Sequence, residues 1–183
     1  IITGGEPSEL DELDEIIDFC IKNSIQNIVL NSSGLKYKQS IADALKKDIM
    51  ELTISLDSGE RELYKKIKRI DKFEQVISNI KKYIKAQNRN KSGVRMKFIL
   101  LPGINTSFSA VQKWLDLCVN MSIKHIILDI ETYYYSVNKN NIPKHIYDII
   151  KYIENEAAKN RLTISYYSNV LQLRHAVQHQ CHD

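Results

Sequence analysis

The chain has 183 residues, of which 43% are hydrophobic and 26% charged, with a formal net charge of +4. This is the length and composition of one globular domain with a sizeable core, which excludes a disordered or low-complexity chain. No apolar run approaches the ~20 residues that a membrane helix needs, and no signal peptide is visible.

A helix is predicted from about Glu9 to Asn23, with Leu10, Leu13, Ile16, Ile17 and Cys20 on one face and Ser8 as its N-cap. Asp and Glu gather at its start, as Glu9, Asp11, Glu12, Asp14 and Glu15, where they favour the helix dipole. Ile28-Val29-Leu30 reads as a buried strand stopped by Asn31-Ser32-Ser33-Gly34, and a helix covers about Lys38 to Lys47. The next strand is Leu52 to Leu56, ending in Asp57-Ser58-Gly59. Two helices follow, one over about Glu60 to Lys68 and one capped by Asp71 with Phe73, Val76, Ile77, Ile80, Tyr83 and Ile84 on its face. Val94 to Leu101 is the longest strand, closed by Pro102-Gly103, and a helix from about Ser109 to Met121 follows it. His125 to Ile130 is another strand, succeeded by a Tyr-rich loop, a helix opened by Pro143, and a last strand from Leu162 to Tyr166. The tail from Asn169 is expected to be helical at first and then frayed.

Strands separated by helices argue for parallel βα units with right-handed crossovers, hence an α/β fold. Periodicity alone does not separate an open doubly wound sheet from part of a barrel. The lysines are spread over many helices and read as solvated faces. A basic cluster of Lys81, Lys82, Lys85, Arg89 and Lys91 is the one feature that fits nucleic acid, and no such partner is expected. The three cysteines, Cys20, Cys118 and Cys181, are too widely spaced to form a metal motif among themselves. With no disulfide framework implied, they fit a reducing cytoplasm. His175, His179, Cys181 and His182 read as a polar tail, and no metal site is expected there.

The first line of the chain is its most informative. Ile1-Ile2-Thr3 is a strand end that runs into Gly4-Gly5-Glu6-Pro7, and a helix start follows. Paired glycines let a backbone approach a ligand closely, and Glu6 adds a carboxylate at the end of a strand where α/β sheets bind ligands. This stretch resembles the Gly-Gly-Glu-Pro signature of radical S-adenosylmethionine (radical SAM) enzymes. The resemblance extends over roughly residues 1 to 131 and implies a partial (β/α) barrel with outer helices, whose first βα unit is missing here. It implies that Gly4, Gly5 and Glu6 hold the amino group of S-adenosylmethionine and that Pro7 rigidifies the turn. Residues 1–168 are then a truncated barrel core and residues 169–183 a C-terminal tail.

Further residues carry the resemblance less specifically. Ser55 and Asp57 lie two apart on one side of a strand, so both would face the ligand, near the cofactor ribose and carboxylate. Asp57 also fits a turn or an N-cap. Lys97 lies on a strand side shared with Arg95 and Ile99, where it either meets an anion of cofactor or substrate or reaches solvent. Asn31 and Ser32 end a strand on the same rim. Asn105, Asp129 and Glu131 are candidates for substrate contact, with loop packing and capping as their other reading. No residue is assigned a catalytic role.

In the intact enzyme the resemblance implies S-adenosylmethionine and a 4Fe–4S cluster bound by a Cys-x3-Cys-x2-Cys loop, which this sequence does not contain. The reduced cluster splits the cofactor, and the 5′-deoxyadenosyl radical abstracts hydrogen from a small-molecule, peptide or protein substrate. Glycyl-radical activation is one possible outcome. A reductant such as flavodoxin or ferredoxin would supply the electron. Residue 1 is not Met and lies in an apparent strand, so a fragment is expected, inactive by itself and prone to dimerise through an exposed sheet edge. Two other readings stay open. One is a phosphate-binding βα-barrel enzyme that uses Gly4 and Gly5 at a helix N-terminus. The other is a non-catalytic scaffold.

Overall fold

The structure, a computed structural model, describes residues 1–88, 93–138 and 141–173. Its frame is one sheet of five parallel strands: β1 (Ile28–Ser32), β2 (Met50–Ser55), β3 (Val94–Leu100), β4 (His125–Ile130) and β5 (Thr163–Tyr166). They lie in chain order, each strand pairing with the next. An open doubly wound sheet reverses its order at a switch point, whereas a barrel keeps adding strands in one direction. The observed order is the barrel's, as the resemblance implied. Residue 2 extends the sheet by one step, with Ile2 N–H donating to Val29 O at 2.8 Å and Asn31 N–H donating to Ile2 O at 3.1 Å.

The helices are α1 (Leu13–Lys22), α2 (Gln39–Lys46), α3 (Arg61–Lys68), α4 (Phe73–Ala86), α5 (Phe108–Asn120), α6 (Thr132–Asn138) and α7 (Lys144–Lys159). Right-handed connections between sequential parallel strands bring successive helices to one face of the sheet. The strands show which face that is. Leu52, Ile54, Val94, Met96, Phe98, Leu100, Ile126, Leu128 and Ile130 are buried in one apolar core with Val76, Ile80, Trp114 and Ile149 of the helices. Their neighbours in sequence, Glu51, Ser55, Arg95, Lys97 and Asp129, occupy the other face and are only partly buried. Residues 168–173 are helical, and Val170 and Leu173 join the same core.

Several local expectations give way. The first helix does not run unbroken from Glu9, because Pro7–Glu9 forms a 3-10 turn and α1 starts afresh at Leu13. The restart changes the phase, so Leu13 and Ile17 are buried while Leu10 and Ile16 are exposed. Ser8 is not the cap of that turn. Glu6 is, its side chain accepting from Ser8 N–H. Asp71 does not cap α4 either, since both its oxygens accept from the Arg61 guanidinium at 2.8 and 2.7 Å. The Tyr-rich loop is helix α6, which Glu131 starts by accepting from Tyr133 N–H and Tyr134 N–H at 3.0 and 2.6 Å. The tyrosines are mediocre helix formers, and the cap overrides them. Arg89 and Lys91 of the basic cluster, and the tail residues His175, His179, Cys181 and His182, lie outside the described residues.

One glycine shows how closely the helical layer sits on the sheet's rim. A Cβ on Gly59 would lie 2.2 Å from the Lys113 carbonyl carbon and 2.3 Å from Trp114 N, both backbone atoms of α5. Backbone cannot swing aside as a side chain can. Gly59→Ala should therefore lower stability by about 1–3 kcal/mol, read as a shifted midpoint in urea unfolding. An unchanged midpoint would show that α5 is free to move.

Candidate functional site

The C-terminal ends of the strands form a rim, and the rim begins at residues 4–6. Gly4 and Gly5 have φ of +100° and +55°, and a Cβ on either would meet nothing within 4 Å. Backbone conformation thus requires glycine at Gly4 and favours it at Gly5, where the left-handed φ is one that Ser24 and Asn27 also adopt, and the space beside both is open. Glu6 follows as the most heavily hydrogen-bonded carboxylate of the rim. Its Oε1 accepts from Ser8 N–H at 3.1 Å, Ser8 Oγ at 2.6 Å and Ser32 Oγ at 2.7 Å, and its Oε2 accepts from Ser33 N–H at 2.6 Å. Burial alone would raise the Glu6 pKa, but the bonds from Ser33, Ser8 and Ser32 outweigh it and hold the pKa below the ordinary carboxylate range. Among the described residues Glu6 makes no ion pair. An ionised, half-buried carboxylate without a cation borders the open space beside two bare glycines. Asn31, also on this rim, donates its side-chain N–H to Thr3 Oγ at 3.3 Å.

The expectation that Ser55 and Asp57 face a ligand together does not describe Asp57. Its side chain is 3% exposed, with Oδ2 accepting from Lys68 Nζ at 2.6 Å and Oδ1 from Ile99 N–H at 2.8 Å. Asp57 is therefore a tie between the end of β2, the backbone of β3 and α3. Asn105 serves the same corner and does not line the rim. It is fully buried, accepts from Leu101 N–H at 2.8 Å, and donates to Ile99 O at 2.9 Å and Asp57 O at 3.1 Å. Glu131 is spent on capping α6. Ser55 differs, being half-buried on the inner face with a side-chain hydroxyl that has no protein partner among the described residues.

Deeper on the inner face the cations are paired. Lys97 Nζ lies 2.9 Å from Asp129 Oδ2 and 4.0 Å from the Tyr167 ring centroid. Sequence reasoning proposed Lys97 and Asp129 separately, and the structure brings them together. Arg95 pairs with Glu51, and its Nε is buried without a partner. His125 Nε2 bonds Ser165 Oγ at 2.7 Å, and burial, with the Arg95 charge as a smaller cause, holds its pKa below the usual imidazole value. Sequence reasoning placed Ser32 on the rim beside Asn31 but missed Ser33, Lys68, Tyr167 and the His125–Ser165 pair. For Ser33 the one signal was the Asn31-Ser32-Ser33-Gly34 strand stop.

The free groups on the inner face suit a cationic, hydroxyl-rich ligand. Glu6 can accept from a cationic amine, the Gly4–Gly5 backbone can approach it closely, and the Ser55 hydroxyl can bond a ribose or carboxylate. No iron–sulfur site is present in this set. Cys118 is buried in α5, where burial pushes its thiol pKa up, and Cys20 is half-buried on α1. No cluster of three metal-ligating side chains occurs among the described residues. None of their helices is long and apolar enough to cross a membrane.

Comparison with known proteins bears on the same region. The sequence profile of the Radical SAM superfamily matches residues 1–115. A probable GTP 3′,8-cyclase of Saccharolobus islandicus is 26% identical over 163 residues, covering 88% of this chain and 51% of the relative. A probable GTP 3′,8-cyclase of Methanocaldococcus jannaschii is 37% identical over 84 residues, 45% of this chain and 28% of the relative. The chain thus spans about half or less of these curated relatives. Among solved structures, Streptococcus suis SuiB bound to precursor peptide SuiA aligns with a TM-score of 0.69 at 14% identity, over 90% of this chain and 37% of that one. A domain of pyruvate-formate lyase-activating enzyme from Bacteroides vulgatus aligns at 0.65 and 16% identity, over 91% and 97%. At these identities the structural likenesses establish the fold.

The tie made by Asp57 has a direct test. Asp57→Ala strands the Ile99 N–H and leaves Lys68 unpaired in a mostly buried corner. It should cost about 2–4 kcal/mol of stability in chemical unfolding. A loss of ligand affinity at full stability would instead return Asp57 to the ligand's side.

Proposed function

This chain belongs to the radical SAM superfamily, and from that membership we propose that its inner sheet face and rim bind S-adenosylmethionine in an enzyme that abstracts hydrogen from its substrate. The observation that carries the reading is the turn at Gly4–Glu6: positive φ at the two glycines, open space, and an ionised carboxylate with no cation partner among the described residues. The cofactor's amino group supplies that cation. Ser55 offers its hydroxyl to the ribose or carboxylate end. S-adenosylmethionine, once bound, supplies the one-electron chemistry of this family, and the residues described here contribute its orientation and the exclusion of water around it. The iron–sulfur ligands are not among them, so no step is assigned to a cluster from these residues.

Phosphate binding is the weaker reading for a physical reason. An anion site at a helix N-terminus needs free backbone N–H groups, and here the Glu6 carboxylate already takes the Ser8 and Ser33 N–H groups. Of the substrate classes, a nucleotide is favoured over a glycyl-radical partner enzyme. The curated relatives are named GTP 3′,8-cyclases, whereas the activating-enzyme domain is similar at the level of fold. The reductant and self-association remain part of this proposal. Apolar Ile1, Leu10, Ile16 and Phe19 are exposed on the segments around the sheet-edge stub and would drive pairing of two chains.

The complete polypeptide that contains residues 1–183, reconstituted anaerobically with iron and sulfide and reduced, should form 5′-deoxyadenosine from S-adenosylmethionine, faster with GTP present. Gly4→Val should cut that formation at least tenfold, since a branched residue resists φ near +100°. A verified cluster with no 5′-deoxyadenosine would overturn the reading. Formation indifferent to GTP would remove the nucleotide and leave the class.

A further inference from the structure

The Glu6 carboxylate is bound unevenly. Oε1 takes three donors, from Ser8 N–H, Ser8 Oγ and Ser32 Oγ, while Oε2 takes one, from Ser33 N–H. A carboxylate oxygen has two good acceptor directions, so Oε1 is saturated and Oε2 keeps one direction free. Two of the donors come from the end of β1 rather than from the glycine turn itself. Ser32 is 5% exposed, and its Oγ donates to Glu6 while accepting from Gly34 N–H at 3.0 Å. That second bond fixes the hydroxyl rotor, so its proton points at Glu6 and nowhere else.

The turn needs such an anchor. Residues before it are held to the sheet by two backbone hydrogen bonds at Ile2, and Gly4 and Gly5 have the widest conformational freedom in the chain. Without the bonds to Ser32 and Ser33, nothing described here ties Glu6 to the sheet. Titratable side chains that feel the Glu6 charge are Tyr64 and Tyr83, both buried with pKa raised mainly by burial, that of Tyr83 to about 12, so both stay neutral at physiological pH.

Resting on the proposed function above, we infer that Ser32 is a positioning residue: its hydroxyl clamps Glu6 Oε1 so that Oε2 is presented, ionised, to the cationic amino group of S-adenosylmethionine. Ser32 acts through Glu6 and does not touch the cofactor. Ser33 contributes through its backbone N–H at 2.6 Å and its hydroxyl also holds the Glu6 pKa down, whereas the buried Ser32 hydroxyl is the element of the clamp that binds Oε1.

The test is equilibrium binding of S-adenosylmethionine to the cluster-loaded complete polypeptide without reductant, so that affinity is read and turnover is not. Ser32→Ala should weaken binding roughly tenfold, as expected for one lost charge-assisted hydrogen bond. Ser32→Thr, which keeps the hydroxyl, should bind within about threefold of wild type. Glu6→Gln should weaken binding as much as or more than Ser32→Ala, and the double variant should bind no more weakly than Glu6→Gln alone, because two residues acting through one contact are not additive. A carbon-13 titration of the Glu6 carboxyl supplies a readout independent of the cofactor. Its midpoint lies below the ordinary carboxylate value of 4.5 in the wild type and should move up in Ser32→Ala and stay low in Ser32→Thr. Additive losses in the double variant, wild-type affinity in Ser32→Ala, or an unmoved midpoint would each overturn the role of Ser32 while leaving the function intact. If Ser32→Ala does not fold, Ser32→Thr decides, and weak binding by that folded variant would overturn the proposal. Failure of the wild type to bind S-adenosylmethionine at all would remove the function, and this inference with it.

Discussion

The rim depends on how the ends of β2 and β3 are held together where the ladder runs out. Beyond the bond from Leu56 N–H to Lys97 O the pairing is continued by side chains. Asp57 Oδ1 takes the Ile99 N–H, and Asn105 takes the Ile99 and Asp57 carbonyls. These are buried backbone groups that would otherwise lack partners, and an unmet group of that kind costs about as much as a lost hydrogen bond. The arrangement lets β2 leave the sheet at Leu56 and turn over the rim through Gly59 while β3 runs on to Leu100. The divergence opens the rim, and the inner face with Ser55 and Lys97 becomes accessible from above. A polar corner that is wholly satisfied thus holds open the rim it borders.

Legibility in the sequence followed contact range. Gly4-Gly5-Glu6-Pro7 could be read because its chemistry is local: the φ requirement, the carboxylate and the turn sit in four consecutive residues. The parallel sheet was legible from apolar runs separated by helical periods, and the resemblance chose the barrel that strand order then bore out. Asp57 was not legible, because its partners, Lys68 and the Ile99 N–H, come from the next helix and the next strand. An Asp at a strand end looks the same whether it meets ligand, lysine or backbone. The same holds for Asn105, which the resemblance of its post-strand turn suggested for the site and whose burial shows a splint. Helix α6 was hidden because three consecutive tyrosines have no strong helical preference, and its start lies in the Glu131 side chain rather than in any pattern of apolar residues.

Two acidic side chains at the rim, Asp57 and Glu6, have opposite fates, and the difference is their counter-charge. Asp57 meets a lysine and two oxygens' worth of donors, so it is finished within the protein. Glu6 has donors and, among the described residues, no cation, and its hydrogen bonds favour the charged form over the protonated one. A group in that condition contributes to stability above the ordinary carboxylate pKa, and the contribution fades as pH falls through its own lower value. It also leaves a standing negative charge at the mouth of the inner face. A charge of that sign favours an amine over an anion before any specific contact is made.

The inner face itself argues against a filled barrel. Barrels that enclose only side chains pack their interior with layers of branched apolar residues. Here the inward positions across β2, β3 and β4 include Ser55, Arg95, Lys97, His125 and Asp129, with the cations tied to Glu51 and Asp129. Largely buried ion pairs are poor stabilisers, since apolar side chains of similar volume do as well or better. Stability alone therefore gives no reason for Lys97 to be caged between Asp129 and the Tyr167 ring, nor for His125 to be spent on Ser165. A polar wall with its charges fixed in advance is what a solvated, ligand-holding cavity requires: dipoles and ions already oriented, with little reorganisation left for the moment of reaction. The outer face of the same strands, apolar from Leu52 to Ile130, carries the folding energy, which leaves the inner face free to be built for a ligand.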